Sequence, residues 1–197
     1  MGCFESASRP GQSIVKGISI QPADGSARML DLWSISQSEM PTITAGGRIG
    51  TDSTALPITI STPANNASAS GYRLDATAVT GINIRQYTGT MRVGTVTAAS
   101  GDNRAAVILA NDGSVNPSNS NDIGGIVRAV GGSHLVRGGA ITLISTKADV
   151  GLSGVGNDIL LDTGITSDDV LTVWTPGDVY LREINDGNSS RSDDLRV

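Results

Sequence analysis

Gly47-Arg48-Ile49-Gly50, followed by Leu56-Pro57-Ile58-Thr59-Ile60, has a later counterpart in Ala148-Asp149-Val150-Gly151 followed by Asp158-Ile159-Leu160-Leu161-Asp162. The earlier copy runs on through Gly81-Ile82-Asn83-Ile84-Arg85-Gln86 and Gly89-Thr90-Met91-Arg92-Val93. The later one runs on through Gly177-Asp178-Val179-Tyr180-Leu181-Arg182-Glu183 and Asp193-Asp194-Leu195-Arg196-Val197. Ile58 and Ile159 are 101 residues apart, Arg85 and Arg182 97, and Arg92 and Arg196 104. The order is kept while the spacing varies by a few residues, as insertions in loops produce. Self-similarity therefore gives two degenerate copies of a unit of about 100 residues, at about 40–100 and 139–197.

Inside each copy a shorter motif recurs, a glycine followed by apolar residues at alternate positions. Gly17-Ile18-Ser19-Ile20, Gly81-Ile82-Asn83-Ile84, Gly139-Ala140-Ile141-Thr142-Leu143 and Gly177-Asp178-Val179-Tyr180-Leu181 are its clearest instances. Glycine turns a corner with positive φ, and the short strand that follows points every second side chain to one face. A single coil of this kind cannot bury its inner face alone, so stacking on neighbours must supply the core.

Working outward, the same alternation marks short strands along the whole chain. They are expected at Val15–Ile20, Met29–Ile35, Leu56–Ile60, Tyr72–Asp75, Ile82–Arg85, Met91–Val96 and Ala106–Leu109. Further strands are expected at Ile126–Val130, Ala140–Ile144, Ile159–Leu161, Val170–Trp174, Val179–Leu181 and Leu195–Val197. Turn-forming Gly, Asn, Asp, Ser and Pro bound each one, and no long window carries helical periodicity. The class is all-β, open to sandwich, barrel or solenoid. The repeat favours a parallel β-helix, a β-solenoid of short strands and Gly/Asn/Asp turns over 15–197 after an irregular segment at 1–14.

Composition agrees with that class. Aromatics are 3% of the 197 residues and 25 are glycine, which suits a narrow interior lined by small side chains. Charged residues are 17%, below the usual quarter or so, and long surface helices would need more. The net charge of −5 disfavours nucleic acid and anionic membrane as partners. Cys3 is the only cysteine, which excludes an intramolecular disulfide and a cysteine-rich zinc site. No run of apolar residues reaches the length of a membrane span, and the start lacks a signal-peptide core. Met1-Gly2-Cys3-Phe4-Glu5-Ser6 fits a myristoylation pattern, but the pattern is short and the expectation is instead a fragment whose Met1 is not a natural start.

Gly47-Arg48-Ile49-Gly50 with Leu56-Pro57-Ile58-Thr59-Ile60 resembles the Gly-x-Ile-Gly and Pro-Leu-x-Ile punctuation of filamentous-haemagglutinin-like proteins. Gly139-Ala140-Ile141-Thr142-Leu143 with Val150-Gly151 and Ile159-Leu160-Leu161-Asp162 resembles it too, as does Gly177 to Glu183. The likeness covers about residues 40–197. It implies a right-handed parallel β-helix within a large secreted or surface-anchored bacterial adhesin. Its partner would be a glycan or protein on a host or neighbouring cell, and its place extracellular or at the cell surface.

The search for chemistry finds no decisive constellation. His134 is the sole histidine, and its neighbour Ser133 would point to the opposite face of a strand, so a catalytic pair is not expected. Asp168-Asp169, Asp193-Asp194 and Asn185-Asp186-Gly187-Asn188 offer oxygens to calcium, yet match no calcium-loop spacing and read equally as solvated turns. Asp158, Asp162, Arg182 and Glu183 are the residues that would line a carbohydrate-active face, if one existed. Trp33 and Trp174 sit in apolar strand patterns and read as core or coil-stacking residues rather than sugar platforms. Gly124-Gly125, Gly131-Gly132 and Gly138-Gly139 lack the lysine and helix of a phosphate loop.

The expectation is thus a non-enzymatic structural or adhesive segment, with no catalytic, cofactor-binding or metal-ligating residue and no cofactor. The alternatives are a carbohydrate-active β-helix enzyme, a lyase or hydrolase, and a calcium-dependent assembly module. Thr62–Gly71 and Asp112–Asp122, the longest polar stretches, are candidate contact inserts or plain linkers. Open solenoid ends also lead to an expectation of self-association.

Overall fold

A computed structural model of the chain describes residues 42–58, 60, 72–100, 103–120, 122–131, 133–163 and 170–184, with the backbone of Ile18–Ile20. The segment 1–14, the Met29–Ile35 strand, Trp33, the Thr62–Gly71 insert, all three acidic clusters and Leu195–Val197 lie outside the described residues.

The described strands are, in chain order, β1 (Ile18–Ile20), β2 (Thr42–Ala45), β3 (Arg48–Ile49), β4 (Leu56–Ile58), β5 (Leu74–Ala78), β6 (Gly81–Gln86), β7 (Met91–Ser100) and β8 (Asn103–Arg104). There follow β9 (Val107–Asn111), β10 (Ile126–Arg128), β11 (Leu135–Arg137), β12 (Ile141–Ser145), β13 (Ile159–Asp162), β14 (Leu171–Trp174) and β15 (Leu181–Glu183). No helix occurs among the described residues. One sheet runs β1-β2-β5-β7-β11-β13-β15, with β10 also beside β7; the other runs β3-β6-β9-β12-β14, with β4 also beside β6. Strand numbers rise steadily across both. The chain lays a strand in the first sheet, crosses to the second, and returns to lie parallel beside its previous pass. Parallel neighbours need a crossover connection, and here each sheet is the other's crossover. The one antiparallel pairing among the described residues joins β7 to β8, Ala99 to Arg104 and Ser100 to Asn103. This all-β, parallel arrangement is compatible with the β-helix expected from the sequence.

Alternation sets the core. Ile49, Ile82, Val107, Ile141 and Leu171 are successive partners across the second sheet, and all are buried. Ile43, Ala76, Val96, Val136 and Leu161 do the same across the first. Each large aliphatic side chain so buried contributes about 1.5–3 kcal/mol. Ala45, Ala78 and Ala98 align where the chain turns from the first sheet to the second, and all three are buried. A third, shorter line of parallel pairing joins Met91–Val93 to Ile126–Arg128, then Ile126 to Val150 and Val150 to Val179.

Polar side chains close the corner beyond the second sheet. Gln86, Asn111 and Ser145 face one another at the ends of β6, β9 and β12, and all three are buried. Gln86 Nε2 donates to the Thr88 carbonyl at 2.7 Å, and Ser145 Oγ to that of Ala148 at 2.5 Å. Asn111 Nδ2 donates to the carbonyls of Gly89 and Gly125 at 3.0 and 2.5 Å, and its Oδ1 accepts from Gly113 N at 3.1 Å. Buried corner backbone needs such partners, because water cannot reach it.

Neighbouring passes are unequal in length. Val96 pairs with Ala76 behind it and with Val136 ahead of it, and the second interval along the chain is twice the first. The 101-residue offset found in the sequence links Ile58 in the second sheet with Ile159 in the first, positions that are not ladder neighbours. The run expected at Tyr72–Asp75 is found as Leu74–Ala78. The strands Thr42–Ala45, Arg48–Ile49, Asn103–Arg104 and Leu135–Arg137 are additions, and the run expected at Val179–Leu181 is found as Leu181–Glu183.

Candidate functional site

The four residues picked out for a carbohydrate-active face lie near one another but are differently engaged. Asp162 ends β13 with its side chain only 4% exposed. Arg104 Nη1 donates to its Oδ1 and to the Thr163 carbonyl, and Arg137 Nε donates to its Oδ2 at 2.5 Å. Arg137 is the ladder partner of Asp162, so register alone brings that pair together. Glu183 Oε1 accepts from Thr163 N and Oγ1 at 2.9 and 3.1 Å. Arg182 Nε meets Asp158 Oδ2 at 2.6 Å on the surface. An acid or base acting on an external substrate must present an oxygen to it. Both oxygens of Asp162 are instead held by guanidinium groups of the same chain, the buried Arg104 and the partly exposed Arg137, an arrangement that ties neighbouring passes together.

His134 is half-buried and borders a shallow recess with Arg128, Leu135 and Ile159 that encloses no space for a ligand. Among the described residues no three of His, Cys, Asp or Glu converge on one point. The Asp112–Asp122 insert is tied to itself: Asn116 N donates to the Asp122 carbonyl at 2.8 Å, and Ser118 N to Asn116 Oδ1 at 3.0 Å. Thr90 Oγ1 donates to Asp122 Oδ1 at 3.2 Å and anchors the insert to the preceding pass. Burial pushes the pKa of Arg92 down from its ordinary value, and the nearby Asp122 carboxylate opposes that shift.

The outer margin of the second sheet combines ring faces, charge and hydroxyl groups. Arg85, Ala110, Ile144 and Trp174 are successive ladder partners in β6, β9, β12 and β14. Their neighbours Ile84, Leu109, Leu143 and Val173 point to the core, so these four point outward. Tyr87, Asp112 and Thr146 directly follow the inward Gln86, Asn111 and Ser145, and form a second outward row. Arg85 Nε and Nη2 donate to Asp112 Oδ2 and Oδ1 at 2.7 and 3.1 Å, and Thr146 Oγ1 donates to Asp112 Oδ1 at 3.2 Å. The Arg85 guanidinium lies 5.7 Å from the centroid of the Tyr87 ring, within cation–π range. The hydrogen bond with Asp112 raises the pKa of Arg85 against its own desolvation. The same bond holds the Asp112 carboxyl below its ordinary value against burial, helped by Thr146 and Lys147.

Tyr87 is 54% exposed and Trp174 55%. Of the two uses expected of Trp174, core or coil stacking, the structure overturns the core one: in β14 the inward places are taken by Leu171 and Val173, which leaves Trp174 on the outside opposite Ile144 of the neighbouring pass. Tyr87 was not singled out from the sequence, although its place after an inward Gln86 carries the signal. Arg104 and Arg137 were missed as partners of Asp162, Arg104 being 58 residues away. Compared with known protein families, with curated proteins and with solved structures, the chain matches none.

Proposed function

We propose that the chain is a non-enzymatic structural and adhesive segment of a large secreted or surface-anchored bacterial protein, wound as a right-handed parallel β-helix. The observation that carries this reading is the rise of strand number across both sheets, pass upon pass, with apolar columns in register. Such stacking makes a rod whose outer faces are free for contact. The engagement of Asp158, Asp162 and Glu183 by neighbouring groups of the same chain supports a scaffold role over catalysis.

The test is incubation of the purified chain with polygalacturonate, alginate, xylan and cellulose, followed by assay for new reducing ends and unsaturated products. The same chain, coupled to beads, is then offered to bacterial and epithelial cells. No cleavage together with retention of cells is the expected result. Cleavage of any substrate, or failure to retain cells, would overturn the reading.

A further inference from the structure

We propose that the outer margin of the second sheet binds a neutral, extended oligosaccharide, whose pyranose rings stack on Tyr87 and Trp174. This rests on the adhesive reading and gives it a site and a ligand class. Four described residues are aromatic: Tyr72 is buried, Tyr180 half-buried, and the two exposed rings both fall on this one face. In a chain so poor in aromatics, exposing two on one margin forgoes their use as core filling.

The spacing suits an extended ligand. Tyr87 follows β6 and Trp174 ends β14, with β9 and β12 between them. Three strand spacings of about 4.8 Å set the rings roughly 14 Å apart along the stack, a span of roughly three pyranose units. The ground between them also fits. Ile144, half-buried next to the buried Ala110, gives a low apolar patch, and Asp112 and Thr146 a polar row beside it. A pyranose has the same division, with C–H groups on its faces and hydroxyls at its rim. Arg85 and Asp112 neutralise each other across two hydrogen bonds, and Asp112 keeps acceptor capacity for a sugar hydroxyl. Paired charges and a net charge of −5 favour a neutral glycan over an acidic one.

The experiment is titration calorimetry of the intact chain with cellohexaose, chitohexaose, mannohexaose and xylohexaose, the matching disaccharides, and an oligogalacturonate. At least one neutral hexasaccharide is expected to bind, and its disaccharide about tenfold or more weaker. Tyr87→Ala and Trp174→Ala are each expected to weaken binding by about tenfold, as loss of an exposed aromatic anchor does. Tyr87→Phe and Trp174→Phe keep a ring and should retain most of the affinity. Matching melting curves for all four variants show that the fold is kept. Binding to none of the neutral hexasaccharides overturns the proposal. So does affinity indifferent to both alanine variants, which places the ligand elsewhere, or a preference for the oligogalacturonate. Uncleaved but unbound glycan removes only this strip, whereas cleavage in the same mixtures removes the adhesive reading beneath it.

Discussion

The Asn111 side-chain amide donates to the carbonyl of Gly125, 14 residues further along, and so ties the end of β9 to the approach of the next strand. Its other bonds reach back to Gly89 and forward to Gly113. One buried side chain thereby satisfies backbone groups on both sides of the corner. Asn111→Ala takes this partner from the Gly89 carbonyl and from Gly113 N, while the Gly125 carbonyl keeps its bond from Met91 N at 3.0 Å. The expected loss is about 2–3 kcal/mol, read as a lower urea midpoint at unchanged slope. Ser145→Ala, which removes a hydroxyl with fewer partners, should lose about 1 kcal/mol. Equal and negligible shifts for both would show that the polar column contributes little.

Asp162 and Asp158 both form ion pairs with arginine, yet losing the carboxylate should matter at one and hardly at the other. Asp162→Asn removes the buried carboxylate that pairs with Arg104, whose side chain is 8% exposed, and with Arg137. Breaking a buried pair in this way costs about 3–5 kcal/mol. Asp158→Asn removes the partner of Arg182, which is 57% exposed, and should change stability by less than about 1 kcal/mol. Thermal melts of the two variants side by side decide the matter.

Asp112 ties stability to acid. Its carboxyl titrates near the ordinary 3.8 when unfolded and below that when folded, because Arg85 hydrogen-bonds the charged form. As pH falls through this window the unfolded chain takes up the proton first. The stabilisation is therefore fully present above about pH 4 and is lost as pH falls through the folded value. Asp112→Asn should make the plot of unfolding free energy against pH shallower below about pH 4 and leave its slope near neutrality unchanged. An identical acid limb in both proteins would contradict the assignment.

Gly151 has φ of 84°, and a Cβ there would collide with the Tyr180 carbonyl oxygen of the next pass. Both the left-handed backbone and the close approach demand glycine. Gly151→Ala should destabilise by about 2 kcal/mol or more, with loss of amide-exchange protection spreading from Val150 and Tyr180. At Gly46 a Cβ meets nothing within 4 Å, so Gly46→Ala serves as the neutral control.

The strands were largely legible because alternation is a local signal: Ile141, Leu143 and Ser145 face inward just as their spacing dictates. Partner choice was not. Gln86, Asn111 and Ser145 form one column, yet the stretch of chain from Gln86 to Asn111 is shorter than that from Asn111 to Ser145. Loops of unequal length hide such a rhythm, and a self-similarity search then aligns residues such as Ile58 and Ile159 that lie in different sheets. The charge partners were hidden for the same reason, since Arg104 reaches Asp162 only after the chain has gone round. The core alternative for Trp174 fails because Val-Trp reads as continuous apolar sequence, whereas the strand's parity separates the two faces.

The inequality of the passes, twofold between the one from Ala76 to Val96 and the one from Val96 to Val136, uncouples the number of paired strands from the length of the chain between them. The sheets grow by one ladder partner per pass, and the additional residues fall between the strands. A tract inserted after Asp112 would swell the flank without moving Ile144 off Ala110. Length added at such a corner is therefore carried by the flank, while the ladder partners on either side stay in register.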